Sequence, residues 1–491
     1  MATSLVSTGV QFPDSTIQTT AALASQYQAV ASGTLANGSL VVVNADGTVS
    51  AVNSNSQSAG TAATYVAGTS VSDVCATYDV TNNKVVVAYI AGNAPAAVYA
   101  VVGTVSGTNI SFGTPVFIIS NGAYLSITYD TAQSKVVIAY ANASTNVGAV
   151  QVGTVSGTSI SFVTAVNFVT GSYPTFISAA YEATQSRVVI AYTDQANSAF
   201  GTAVVGSVSG TITFGTPVVI VAATVMTYLT VAPVGSSKAV ISYRNLSSSS
   251  VGTSIVGTVT STSISFGTPV VFNNATTLYI RSTYDTTSSK VVVVYADNGN
   301  SDYGTAIVGT VSGTSISFGS EVVFESAYTS SMEVVYSVFA NRVVISWSKT
   351  SNTYATTITG LVSGTGVTFG TASAANAIAS VSCTGLVYDS TSQKVVFAYR
   401  NNTASSGQSQ VLTVGFTNLS ATNYIGISGA AYASSATATI QTVGSVDDAQ
   451  TSLTPGLAYY VQTDGTLAST AGSPSVFAGT AVAATKILVK G

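Results

Sequence analysis

One block of sequence recurs seven times in this chain of 491 residues. It reads KVVVAY at 84–89, KVVIAY at 135–140, RVVIAY at 187–192, KAVISY at 238–243, KVVVVY at 290–295, RVVISW at 342–347 and KVVFAY at 394–399. The spacing is 51 or 52 residues throughout. A period of that size marks an array in which each repeat is one supersecondary unit that buries its apolar face on its neighbours. The repeats are built from Val, Ala, Gly, Ser and Thr, which favour pleated strands and tight turns and exclude a helical solenoid.

The fullest repeat, STYDTTSSKVVVVYADNGNSDYGTAIVGTVSGTSISFGSEVVF at 282–324, divides into four strand-like runs. Strand A ends at Tyr284 and Asp285, strand B spans 290–296, strand C 304–311 and strand D 315–324. Between A and B stands a TTSS turn, and between C and D an SGT turn, both rich in residues that accept positive φ or bond their own backbone. Four strands per repeat is the anatomy of a propeller blade. The spacing predicts an all-β fold: a seven-bladed β-propeller with four-stranded blades of about 52 residues.

Strand counting adds a condition. D-type runs follow a C strand only six times, at about 109, 159, 211, 263, 315 and 366. AGTAATYV at 59–66 mirrors FGTPVFII at 112–119, so this early strand is expected to complete blade seven and leave the ring without an open edge. NYIGIS at 423–428 is the alternative for that place. With the early strand in blade seven, both flanking segments leave the ring at one point and can fold together. GSLVVVNADGTVSAV (38–52) and LAYYVQTDGTLAST (457–470) each carry an Asp-Gly hairpin signal. The expected division is 23–57 as the first part of a small β module, 58–422 as the propeller and 423–491 as the second part of the module.

Charge and composition narrow the function. Thirteen Lys and Arg against seventeen Asp and Glu give a net charge of −4, with no basic stripe to neutralise phosphates, so no nucleic-acid partner is expected. Apolar runs such as VVVVYA at 291–296 fall far short of the ~18 residues of a spanning helix, and no membrane insertion is expected. The start, MATSLVSTGVQFPDST, lacks the basic and apolar regions of a secretory signal, which points to a virion-borne surface protein.

The chain has no histidine, which removes Ser-His-Asp and Cys-His nucleophiles and the commonest zinc ligand. Glycoside hydrolysis needs only two carboxylates and stays open in principle. Yet Asp79, Asp130, Glu182, Asp285 and Asp389 each lie singly, five residues before Lys84, Lys135, Arg187, Lys290 and Lys394. One acid per blade is a ring of separated charges, read here as exposed cross-strand pairs worth ~0–1 kcal/mol each. The five arginines are spread over different blades, unlike the arginine cluster of sialidase-type propellers. The expectation is a protein that is not an enzyme and has no cofactor and no metal site.

The A-to-B and C-to-D turns hardly vary, whereas the B-to-C loops do, and antiparallel geometry puts those loops at one end of the ring. They are expected to form a recognition face for polar ligands such as sugars. The candidate positions are 141 and 143 in ANASTNVG (Ala141 and Ala143, flanking Asn142), Asp194 and Asn197 in TDQANSAFG, and Arg244 and Asn245 in RNLSSSSVG. Asp297, Asn298, Asn300, Asp302 and Tyr303 in ADNGNSDYG follow, then Arg400 and Asn401 in RNNTASSGQ. Asp297 and Asp302 lack calcium-loop spacing and are read as solvated loop acids. Cys75 and Cys383 fall on the A strands of blades one and seven, where a bond could lock the ring, though two free thiols are the expectation. Trp347 replaces the repeat tyrosine and is expected in the core.

Two stretches carry a family likeness. GVQFPDSTIQTTAA at 9–22 resembles the N-terminal attachment segment of tailed-phage fibre proteins. ATATIQTVGSVDDAQTSLTPGLAYYVQTDGTLASTAGSPSVFAGTAVAATKILVK at 436–490 resembles a β module common in phage tail fibres and related virion proteins. The resemblance implies residues 1–22 as an attachment segment towards other virion tail or neck proteins, a homotrimer, and a receptor-binding role at a host-surface glycan. A purely structural head, neck or tail fibre is the alternative, and a glycan hydrolase is a third.

Overall fold

The computed structural model describes residues 26–491 except 45, 53–55, 93–95, 350–354, 377–380, 417 and 491. Within 1–25 it describes only the paired strands Ser4–Val6, Gly9–Gln11 and Ile17–Gln18. The attachment segment expected at 1–22 lies otherwise outside the described residues. Two compact units emerge: Gln57–Gly415, and Met1–Ser56 together with Phe416–Gly491.

The first unit is a ring of antiparallel sheets. In blade one, A (Val71–Asp79), B (Lys84–Ala91) and C (Ala97–Ser106) pair in order, and a broken D strand (Asn109–Phe112, Val116–Ser120) lies outside. Among the described residues seven such A-to-D sets follow one another. Each inner A strand packs on the next, and the last, Val381–Asp389, packs on the first. Gly385 stands at that seam because a Cβ would meet Cys75 Cα at 3.1 Å.

The B strands carry the core because both their faces are covered. Tyr89, Tyr140, Tyr192, Tyr243, Tyr295, Trp347 and Tyr399 are fully buried, and Trp347 meets the Phe324 ring edge-on at 5.1 Å. Clusters join adjacent blades, as where Val137 and Ala139 of blade two meet Ile177 and Val188 of blade three. Each Val or Ile so buried contributes roughly 1.5–3 kcal/mol.

The break in strand D falls at one fixed place in each repeat, the Gly-Thr-Pro of blades one, three and four. Gly113 N donates to Val102 O at 2.9 Å, and a Cβ on Gly113 would collide with the Thr158 carbonyl in the next blade. Gly215, Gly267 and Gly319 make the same close approach to Thr262, Thr314 and Thr365. Blade seven takes its D strand from Ser56–Ala59 and Ala63–Val66, which pair with Ser406–Phe416. Gly60 N donates to Val411 O at 2.8 Å, and Gly60 abuts Thr108 of blade one. NYIGIS does not fill that place: Tyr424–Ser428 pairs with Leu40–Val43 and Thr437–Gln441 in the second unit.

The acids at the A-to-B turns are not exposed ion pairs. Asp79, Asp130, Glu182, Asp285 and Asp389 are buried, and each folds back on its own turn. Asp285 accepts from Thr287 N (2.9 Å), Ser288 N (3.0 Å) and Ser288 Oγ (2.6 Å). Turn amides that point inward need an acceptor, and a short carboxylate supplies one two residues back. The lysines look elsewhere: Lys135 and Lys290 donate to Thr154 and Thr310 at 2.7 Å. Tyrosines at the end of strand A tie turns to a neighbouring blade, as Tyr129 to Thr81 (2.8 Å), Tyr336 to Thr287 (2.6 Å) and, across the seam, Tyr78 to Thr391 (2.6 Å).

The second unit holds two five-stranded sheets, one drawn from both flanks of the chain and one wholly from 446–489. Its core joins Leu40 and Val42 to Leu419, Ile427, Val461, Ala478 and Ile487. Leu419 therefore belongs to this module, and the propeller ends near Gly415 instead of 422. Its Asp-Gly turns have Gly47 and Gly465 at φ +83° and +84°, with Asp46 and Asp464 accepting from Thr48 N and Thr466 N at 3.0 Å.

Candidate functional site

The variable B-to-C loops lie at one end of the ring, and several of their polar candidates are engaged by neighbouring loop groups. Asp194 accepts from Ser172 Oγ (2.6 Å) and Ala196 N (3.2 Å), capping the short turn that leaves Asn197 exposed. Asp297 is buried and accepts from Asn273 Nδ2 and Gly299 N, each at 3.0 Å. Asn298 donates to Asp302 at 3.0 Å, while Asn300 is exposed and Tyr303 half-buried at the start of strand C. Asn401 is buried between Gln408 Oε1 (3.1 Å) and Ala404 N (3.0 Å). Asn245 Oδ1 and Arg400 Nε are buried without a hydrogen-bond partner. Ala141 is buried and Ala143 exposed; neither has a polar side chain, and the neighbouring Asn142 accepts from Ser144 N at 2.9 Å. The loops thus shape themselves, and of the candidate residues only Arg244 turns towards a convergent site.

That site is made by a feature of strand A that the sequence did not announce. Its pairing with strand B slips in every blade, between Ala123 and Ser126 in blade two and at the equivalent points elsewhere. At the slip sits a non-glycine residue in the left-handed region: Asp73 (φ +44°), Tyr124 (+52°), Phe176 (+49°), Tyr228 (+54°), Tyr279 (+53°) and Ser331 (+50°). A bulge re-aims one side chain per strand, and left-handed backbone costs a bulky residue roughly 1–3 kcal/mol. All six line a single cavity of about 380 Å³ in the middle of the ring.

The rings form an unbroken arc. Tyr124 lies 5.7 Å from Phe176, Phe176 5.1 Å from Tyr228, and Tyr228 5.4 Å from Tyr279, centroid to centroid. Tyr173 extends it at 6.1 Å from Tyr124, and Tyr279 Oη stands 3.4 Å from Tyr328 Oη. Arg244 places its guanidinium carbon 4.9 Å over the Tyr228 ring and donates through Nε to Thr227 Oγ1 at 2.9 Å. Such a contact is worth about 0.5–2 kcal/mol and holds the ring in place.

Three charged residues share the lining: Asp73, Arg281 and Glu333. Arg281 Nε meets Glu333 Oε2 at 3.2 Å, and Arg281 Nη1 donates to Ile280 O at 3.0 Å. Glu333 Oε1 accepts from Val334 N at 3.1 Å. Asp73 Oδ2 accepts from Tyr124 N at 3.0 Å, joining blade one to blade two. Poor solvation within the narrow channel pushes both carboxyls above their usual range, and Arg281 only partly opposes it. Cys75 is free and half-buried in the same wall; burial first, then the charges of Asp73 and Glu333, push its thiol far up. The Cys383 side chain lies outside the described residues. Among the described residues no three metal-ligating side chains come together, and no helix is long and apolar enough to cross a membrane.

No protein-family model matches the chain, and no curated protein matches it in sequence. Among solved structures it is similar to the BP39L lectin from Burkholderia pseudomallei, with a TM-score of 0.51 and 9% identity over 72% of this chain and 97% of the lectin. AofleA from Arthrobotrys oligospora aligns with a TM-score of 0.40 and 9% identity over 70% and 96% of the two chains. The β-propeller domain of the Trilobed protease from Pyrococcus furiosus gives 0.41 and 9% over 71% and 97%. The chain is a β-propeller. At these identities the likeness is one of fold, and the bulge residues must speak for the chemistry.

Proposed function

We propose that this propeller is a saccharide-binding adhesin of a virion, a tail-fibre-like protein that engages a glycan on the host surface. The observation that carries the reading is the arc from Tyr124 to Tyr279 around the channel, with Asp73 facing it. Aromatic faces take the C–H face of a sugar, while a carboxylate and phenol hydroxyls take its hydroxyl groups. The lectin fold of BP39L supports a binding role for such a ring. The segments at 9–22 and 436–490, with their likeness to fibre proteins, support a place in a phage appendage, attachment to tail or neck proteins through the N-terminal segment, and a homotrimer whose weak sites add.

Binding is favoured over hydrolysis because both lining carboxylates are engaged, Glu333 by Arg281 and Asp73 by a backbone amide. The test is adsorption of the purified protein to bacterial cells and its competition by free oligosaccharides. Saturable, sugar-competed adsorption supports the adhesin. Absence of adsorption to every host tried leaves a purely structural fibre, and release of reducing ends from the polysaccharide replaces the adhesin with a hydrolase.

A further inference from the structure

We infer that each propeller takes one saccharide end, in the central channel, and that the Glu333–Arg281 pair makes this site discriminate against acidic sugars. The inference rests on the adhesin reading and gives it a stoichiometry and a ligand class.

The single site follows from how the repeat is broken. Seven near-identical blades would offer up to seven equivalent sites if their outer loops bound ligand. The loop carboxylates Asp194 and Asp297 are instead engaged by Ser172 and Asn273 of the adjacent connection, and the amide of Asn401 by Gln408. What differs from blade to blade and also converges is the bulge residue, and convergence happens once, at the centre. There the aromatic arc of blades two to five faces Asp73 and Ser331 of blades one and six, so the ring's symmetry is lost where the ligand would sit. About 380 Å³ lies at the small end of ligand pockets, room for one or two sugar rings and too little for a folded-back chain.

The selectivity follows from the charges. The lining holds two carboxylates, Asp73 and Glu333, and one guanidinium, Arg281. Because Arg281 already meets Glu333, an incoming carboxylate finds no free cation in the lining and is repelled by Asp73. Arg244 at the rim is held by Thr227 and the Tyr228 face. A neutral sugar meets rings, hydroxyls and a carboxylate acceptor, all suited to it. Glu333 is thus a specificity-determining residue that acts by occupying Arg281.

The experiment uses the full chain, cells to which it adsorbs, and two probe sets of equal length: neutral trisaccharides of glucose or galactose, and the same trisaccharides ending in glucuronate. Calorimetry should give one neutral probe per chain. Tyr228→Asn removes the ring while keeping a residue that tolerates positive φ, and it should weaken neutral-probe binding or cell adsorption about tenfold. Asn197→Ala and Asn300→Ala should change either by less than about twofold. Glu333→Gln should raise affinity for the glucuronate-ended probes at least about fivefold relative to the neutral ones.

More than one probe per chain, loss of adsorption in the loop variants, full adsorption by Tyr228→Asn, or acidic and neutral ends binding wild type equally would each overturn the inference. Cells that adsorb the protein while Tyr228→Asn adsorbs as well sink the channel site and leave the adhesin standing. A chain that adsorbs to no cell and binds no probe sinks both. Unchanged thermal unfolding of each variant separates a lost site from a lost fold.

Discussion

Gly60 lies against the backbone carbonyl of Thr108, and this contact between the seventh blade and the first repeats the one Gly113 makes to Thr158. The early strand is therefore a full member of the ring, seated by the same close approach as its counterparts. Blade two gives the complementary case. There Val163 occupies the glycine position, and the facing turn of blade three is one residue shorter, with Ser209 paired to Thr211 where other blades keep two residues between the pair.

Gly60→Val should consequently destabilise the propeller by about 2–4 kcal/mol, since its Cβ meets backbone that cannot swing aside. Val163→Gly should change stability by less than about 1 kcal/mol beyond the usual glycine penalty. Urea unfolding of the two variants measures both, and equal losses would contradict the steric account.

Asp285→Ala should cost about 2–3 kcal/mol, because three hydrogen bonds to a buried carboxylate vanish and the Thr287 and Ser288 amides lose their acceptor. Lys290→Ala, which removes only a contact to Thr310, should cost under about 1 kcal/mol. The pair of denaturation curves separates a turn cap from a salt bridge, for which the two losses would match.

Glu333 faces Arg281, with Asp73 and Cys75 nearby in the channel wall, and its carboxyl is raised by burial against the pull of Arg281. A raised folded-state pKa means that the protonated form is favoured on folding, so this contribution to stability is present at low pH and is lost as pH rises through the folded value. Wild type should therefore gain stability relative to Glu333→Gln as pH falls towards the ordinary carboxylate range, and glucuronate-ended probes should begin to bind as Arg281 is released. Melting temperature and probe affinity across that window provide the measurement; a difference that shrinks on acidification would reverse the sign.

Cys75 should resist alkylation. Its thiol is held up by burial and by the charges of Asp73 and Glu333, and it contacts Ala88 O at 3.8 Å. Iodoacetamide at neutral pH followed by peptide mass spectrometry should find the 71–79 strand unmodified in the folded chain and modified after denaturation.

The ring was legible because its causes repeat. KVVVAY buries on both faces, FGTP breaks strand D at a fixed place, and AGTAATYV could be matched to it across the whole chain. The A-to-B acids misled because a lysine five residues on suggests a partner, whereas a short carboxylate reaches its own turn amides first. The same local bonding drew Asp194, Asp297 and Asn401 into their loops, and in composition such residues look like ligand-binding ones. The bulge was hidden for a different reason: positive φ is usually signalled by glycine or asparagine, and here it falls on Tyr124, Phe176, Tyr228 and Tyr279. Tertiary packing imposes that backbone, and its one sequence trace was the aromatic residue that recurs at the same repeat position in Tyr124, Phe176, Tyr228 and Tyr279.

The strip from Gln57 to Val66 is made before any blade, yet its hydrogen-bonding partner, Ser406–Phe416, is the last piece of the ring to be synthesised. Throughout translation the nascent chain carries an orphan β-strand that must stay soluble and unclaimed, and closing so long a loop is slow. Its run of Ser, Gln, Ala, Gly and Thr, poor in large apolar side chains, suits a segment that has to wait.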